Sequence, residues 1–135
     1  DKAKAVREIA RVLKPGGVLF AATNGQGHMR ELGELICLFN PGYPGNGPAV
    51  RSFSLESAAD VLSTAFNEIE VRRYVSNLEV TEAEPLIDYL HSMWEVYEAG
   101  DQVRWRQLEE HVRQIFQSQS VFHIAKSAGL VIARR

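Results

Sequence analysis

The sequence predicts an α/β fold with one central parallel strand, one outer strand and a C-terminal antiparallel hairpin, flanked by helices and carrying an αα-hairpin. Three observations predict it. Gly17 to Thr23 (GVLFAAT) is apolar without alternation, the pattern of a parallel strand covered on both faces. Ile69 to Val75 alternates, with Ile69, Val71 and Val75 on one side and Glu70, Arg72 and Tyr74 on the other, the pattern of a half-exposed strand near a sheet edge. Residues 81–118 carry two apolar stripes at helical spacing, broken at Gly100.

The elements follow in order. Residues 2–13 read as a helix, because Val6, Ile9, Ala10 and Leu13 fall on one face and Asp1 suits its N-cap. Lys14-Pro15-Gly16-Gly17 ends it, since Pro cannot continue the helix and the glycines allow a tight reversal into the first strand. Asn24 to Gly27 is a loop. A second helix over about 28–39 is striped by Met29, Leu32, Ile36 and Phe39. The segment 40–52 is read as a mobile surface loop, with three prolines and three glycines between Asn40 and Arg51. Ser54 is placed as the cap of a helix over 55–65. Thr81 and Glu84 fit a capping box that opens the helical hairpin. Val121 to Ala125 and Leu130 to Arg134 read as two strands, with Ser127-Ala128-Gly129 as the turn between them.

Composition sets the function classes. The chain has 135 residues, 45% hydrophobic and 24% charged, the balance of a water-soluble globular domain. A net charge of −2, with Lys and Arg spread out, gives no electrostatic reason to expect nucleic acid or an anionic membrane as partner. The longest apolar run falls far short of the roughly 20 residues that cross a bilayer. Cys37 is the only cysteine, so no intrachain disulfide forms, and the expected compartment is the cytoplasm.

The stretch Arg7 to Gly25 (REIARVLKPGGVLFAATNG), with Arg11-Val12-Leu13-Lys14-Pro15-Gly16-Gly17 at its centre, resembles the end of the fourth helix and the fifth strand of class I S-adenosylmethionine-dependent methyltransferases. Phe53 to Tyr74 resembles the next helix and strand of that family. Phe122 to Lys126, followed by Gly129 to Arg134, resembles its last strand and the approach to it. The run TNGQGHMREL is similar to a subgroup of bacterial members of unassigned substrate. The resemblance implies an incomplete Rossmann-like methyltransferase sheet, with residues 1–135 a single partial domain and 81–118 an inserted helical hairpin. It also implies that the Gly-rich turn and the acidic residue that hold the cofactor lie before Asp1. S-adenosylmethionine is then the cofactor of the parent protein, and this chain contributes no cofactor-binding residue. Its expected partner is a small-molecule methyl acceptor.

The candidate substrate-binding residues are Thr23, Asn24 and His28, at or just beyond the carboxyl end of the first strand, where open α/β sheets bind ligands. His28 is the weak candidate for a general base, able to take a proton from an attacking hydroxyl or amine. Loop and helix-start roles also suit Asn24 and His28 and are the stronger alternative. Gly25-Gln26-Gly27 lacks the third glycine of a dinucleotide fingerprint, because Arg30 stands there, so a simple turn is the better reading. His91, His111 and His123 show no i, i+4 pairing and Cys37 has no cysteine partner, so no metal site is expected. Trp94, Tyr97 and Trp105 read as helix core, with a substrate lid as the alternative. A rival reading is a non-catalytic module that closes the exposed edge of the first strand by pairing with a second copy as a homodimer.

Overall fold

The computed structural model describes residues 1–43, 45, 52–97 and 102–135. Most of the expected mobile loop (44 and 46–51) lies outside the described residues, as do the side chains of Trp94 and Tyr97. The elements are α1 (Lys2–Val12), β1 (Val18–Asn24), α2 (Arg30–Phe39), α3 (Ala58–Leu62), β2 (Glu68–Val80), α4 (Ala83–Tyr97), α5 (Gln102–Ser118) and β3 (Phe122–Arg134). The chain gathers into two compact units. The first holds Asp1–His28, Asn46–Ser76 and Ser127–Arg135, and the second holds Met29–Gly45 and Asn77–Lys126.

The first unit begins as its sequence dictates. The Asp1 carboxylate accepts from the Lys4 N–H at 3.0 Å and caps α1. Leu13 leaves the helix in an extended conformation, and Gly16 sits at φ +75°, where a side chain is strained. The Gly17 N–H donates to the Lys14 carbonyl at 2.8 Å and closes the reversal into β1. Val6 and Ala10 of α1, Leu55, Ala58, Leu62 and Phe66 around α3, and Val131 and Ala133 of β3 form the core of this unit. Leu19 and Ala21 of β1 and Ile69 and Val71 of β2 pack against it.

The α/β class holds, and three details differ from expectation. The chain end is one continuous strand and not a hairpin. Ser127-Ala128-Gly129 has turn-like composition, but Gly129 answers a tertiary need. A Cβ there would collide with the Arg72 carbonyl oxygen and come within 2.8 Å of a Leu55 methyl. The strand order is β1-β3-β2, and β1 pairs antiparallel with β3, from Val18 opposite Arg134 to Asn24 opposite Ala128. Among the described residues β1 is therefore an edge strand and not a central parallel one. Its apolar residues do face two ways: Leu19 and Ala21 pack on the core, while Phe20 is 63% exposed. In β2, Ile69 and Val71 face the core as expected, but Val75 is 85% exposed. The strand runs on to Val80, so the half-exposed strand is longer than its alternation indicated.

The second unit is mainly helical. Leu32, Leu35 and Ile36 of α2, Leu86, Ile87 and Leu90 of α4, Leu108 and Val112 of α5, and Ile124 of β3 make its core. Trp105 packs against this cluster, partly buried. Glu84 accepts from the Arg113 guanidinium at 3.0 and 3.4 Å, which ties α4 to α5. The start of α2 is stitched to β3 at Ala125. The Ala125 carbonyl accepts from the Met29 N–H at 2.8 Å, and its N–H donates to the Glu31 carboxylate at 3.0 Å. Met29 takes the left-handed conformation (φ 54°), strained for a residue with a side chain and held here by that bond.

Candidate functional site

The carboxyl end of β1 is tied to the segment after residue 52 by a short ladder. The Thr23 hydroxyl donates to the Phe53 carbonyl at 2.9 Å. The Leu55 N–H donates to the Asn24 carbonyl at 3.1 Å. The Gln26 N–H donates to the Glu56 carboxylate at 3.0 Å. Segment 53–56 is fixed in turn by Ser54 and Ser57, each backbone N–H donating to the other's hydroxyl at 3.0 and 3.3 Å. Ser54 is fully buried; the helix expected over 55–65 is confined to Ala58–Leu62 with Ser57 and not Ser54 at its N-cap, and the Ser54 hydroxyl serves the turn before it.

On its other side the loop after β1 is locked to β3. The Gly25 N–H donates to the Ser127 carbonyl at 2.9 Å. A Cβ at Gly25 would collide with the Ser127 hydroxyl and stand 2.9 Å from the Glu56 carboxylate, so a side chain there would displace the Ser127 and Glu56 side chains from these positions. The Ser127 N–H donates to His28 Nδ1 at 3.2 Å. Accepting there requires a lone pair on Nδ1, which puts the proton of the neutral ring on Nε2.

These ties frame an open cleft of about 540 Å³ lined by Ala22, Thr23, Asn24, Ser52, Phe53, Ala128 and Gly129, all within the first unit. Its volume lies in the range of small-molecule sites. Thr23 and Asn24 line it, and His28 does not. His28 acts instead as a strut between the β1 loop and β3, with the lone pair a general base needs already engaged. Sequence reasoning missed the other wall. Ser52 and Phe53 carry no motif, and Ala128 and Gly129 look like a turn until β3 is seen to pass straight through them.

Glu56 anchors the electrostatics. Partial burial pushes its carboxyl up, but the hydrogen bonds from Gln26, its own N–H, Ser54 and Arg73 prevail and hold it at about 2. Arg73 reaches it from β2 at 3.1 Å. Glu56 is therefore ionised and fully engaged, and it is not a lining residue of the cleft. Among the described residues no group of three metal-ligating side chains comes together, and no helix is long and apolar enough to cross a membrane. His111 stacks at a tilt on Phe39, His91 on Trp105, and His123 lies 3.9 Å from Glu79.

No family model matches the chain, and no curated protein matches it. Among solved structures it is similar to the YcgJ protein from Bacillus subtilis, at 17% identity and a TM-score of 0.51. That similarity covers 100% of this chain and 58% of YcgJ, so the chain spans a little over half the length of that relative. It establishes a shared α/β fold. A second similarity is to phosphoethanolamine N-methyltransferase 2 of Haemonchus contortus, solved with phosphomonomethylethanolamine and S-adenosylhomocysteine. It has 18% identity and covers 98% of this chain and 30% of the other, with a TM-score of 0.36, a level at which two proteins need not share a fold.

Proposed function

We propose that this chain is the acceptor-side half of an S-adenosylmethionine-dependent methyltransferase that moves a methyl group to a small-molecule nucleophile. The observation that carries the reading is the cleft at the carboxyl end of β1, the strand that RVLKPGG introduces. Ligands of open, mostly parallel α/β sheets bind at the carboxyl ends of the parallel strands, the place β1 takes on this reading, although its described partner β3 is antiparallel. The similarity to YcgJ over the whole chain supports the fold this reading needs.

Among the described residues no carboxylate lines the cleft to receive ribose hydroxyls, and Glu56 is committed to Gln26 and Arg73. This chain's work is therefore to bind and orient the acceptor. Asn24 and Ser52 supply polar contacts, Phe53 supplies an apolar wall that keeps water away, and the struts at Glu56 and His28 hold the wall still. On this reading the cofactor residues are supplied from outside residues 1–135. Reading the gene upstream tests this directly. A Gly-rich strand-loop-helix within roughly 100 residues before Asp1 is expected, and its absence would remove the basis of the reading.

One observation favours a second reading, a dimerising α/β module without catalysis. β1 (VLFAATN) is an edge strand with no charge, and its Phe20 is 63% exposed. Natural edge strands usually carry charges, Pro or a bulge that discourages pairing. Pairing with a second copy through β1 would cover this edge by a two-fold contact. Sedimentation of the 135-residue chain decides it: a dimer is expected on this reading, and a folded monomer at high concentration rules it out.

A further inference from the structure

The second unit carries an open cleft of about 380 Å³ between the carboxyl end of α2 and one face of α5. Phe39, Arg106, Gln107, Glu110, His111 and Gln114 line it. The five residues of α5 line it through their side chains, because a helix keeps its backbone inside them. Helical spacing sorts them into two rows. His111, with Gln107 one turn before it, forms the row beside Phe39. The Phe39 and His111 rings lie 5.6 Å apart at a tilt of 55° and make an aromatic floor. Arg106, Glu110 and Gln114 form the outer row, each about 6 Å along the axis from the next.

The charges of the outer row are what the fold leaves unspent. Arg106 precedes Glu110 by four residues, the weaker order for an ion pair along a helix. Glu110 accepts instead from the Gln114 carboxamide at 3.3 Å, and Arg106 makes no ion pair among the described residues. The next guanidinium along, Arg113, is held by Glu84 at 3.0 and 3.4 Å. One guanidinium and one carboxylate with acceptor capacity to spare therefore stand a turn apart beside the rings.

A guanidinium takes a carboxylate as a two-bonded fork, and a carboxylate takes an ammonium. Either contact alone is worth little in open water. An apolar group seated on the Phe39 and His111 rings supplies what they lack. A simple anion here would face Glu110, and a simple cation would face Arg106. A molecule that carries both charges and an apolar side chain meets all three features, and a free amino acid is the smallest of that kind.

We infer that the cleft of Phe39, Arg106, Glu110 and His111 binds a free α-amino acid with an aromatic or large apolar side chain, its carboxylate on Arg106 and its ammonium on Glu110. The site lies wholly within the second unit, and neither its chemistry nor its test depends on methyl transfer.

Nitrogen-resolved NMR titration of the 135-residue chain tests it with three probes: L-phenylalanine, its amide, which lacks the carboxylate, and its N-acetyl derivative, which lacks the ammonium. Phenylalanine is expected to shift the Phe39, Arg106, Glu110 and His111 signals saturably, with a dissociation constant on the order of 1 mM. It should bind at least about fivefold more tightly than either derivative, the ratio that one exposed ion pair supplies. Arg106→Gln should cost phenylalanine about that factor and improve binding of the amide, which then meets no like charge. Glu110→Gln should do the same in favour of the N-acetyl derivative. Both positions are exposed, so the dispersed spectrum should persist in each variant. The inference is overturned if phenylalanine gives no saturable shift at these residues, if either derivative binds as tightly as phenylalanine, or if the two variants do not change the preference in opposite directions.

Discussion

The two edge strands of the sheet are built from different chemistry. β1 has no ionisable residue in VLFAATN, and it exposes Phe20. β2 carries Glu68, Glu70, Arg72, Arg73 and Glu79, with Glu70 and Arg72 paired at 2.6 Å. Charges along an edge keep it soluble and deter pairing with another chain. β2 is thus an edge whose charges meet water, even with Tyr74, Val75 and Leu78 exposed among them. β1 has the composition of a strand meant to be covered. The same unit also exposes Val12 of α1 and Ile9, which the helical spacing places on its buried face. The difference teaches that edge position alone does not define an edge strand; its charge pattern does.

The largest expected effect breaks the strand the two edges share. Gly129→Ala forces a Cβ onto the Arg72 carbonyl and the Leu55 side chain. Backbone cannot yield there as a flexible side chain would. A loss of about 3 kcal/mol is expected in chemical denaturation, the upper range for overpacking. A loss under half that size would show that β3 can shift away from β2.

Next comes the edge contrast itself. If β1 pairs with a second copy, Phe20→Lys should abolish association in sedimentation velocity, and Val75→Lys should leave it unchanged. Both substitutions sit at exposed positions, so each should alter stability by no more than about 0.5 kcal/mol. Equal effects of the two on association would erase the distinction between the edges.

Glu56→Gln sharpens the comparison, because Glu56 links Arg73 on the charged strand to the loop that ends the uncharged one. Its folded value of about 2 lies below the ordinary 4.5. A depressed carboxyl contributes stability that is complete above the ordinary value and is lost as pH falls from there toward the folded one. The substitution should therefore flatten the fall in stability between pH 4.5 and about 2. With the side chain a little over a third exposed, solvent screening limits the loss at neutral pH to about 1 kcal/mol. Arg72→Ala should do least, leaving the melting temperature unchanged within reproducibility, because the Glu70–Arg72 pair is in open solvent.

Local chemistry was legible in the sequence where it acts locally. The Lys14-Pro15-Gly16-Gly17 reversal follows from what Pro and Gly do to a backbone, and the stripes of α4 and α5 follow from helical spacing. The cleft was legible only as a position, the end of β1, and Thr23 and Asn24 line it. What long-range contact decides stayed hidden. Gly129 looks like a turn glycine until β2 is seen beside it. His28 has the chemistry of a base until Ser127, 99 positions along the chain, is found on its Nδ1. Phe53 becomes a wall only because the Thr23 hydroxyl holds its carbonyl.

The central claim, that these residues form the acceptor side and not the cofactor side, is tested most directly by S-adenosylhomocysteine affinity. It should be measured by calorimetry for this chain alone and for the chain joined to the upstream strand-loop-helix segment that the proposal expects. The account predicts binding only by the longer polypeptide, with an affinity that Asn24→Ala and Phe53→Ala leave unchanged. Equal binding by this chain alone, or loss of affinity in those two variants, would contradict it.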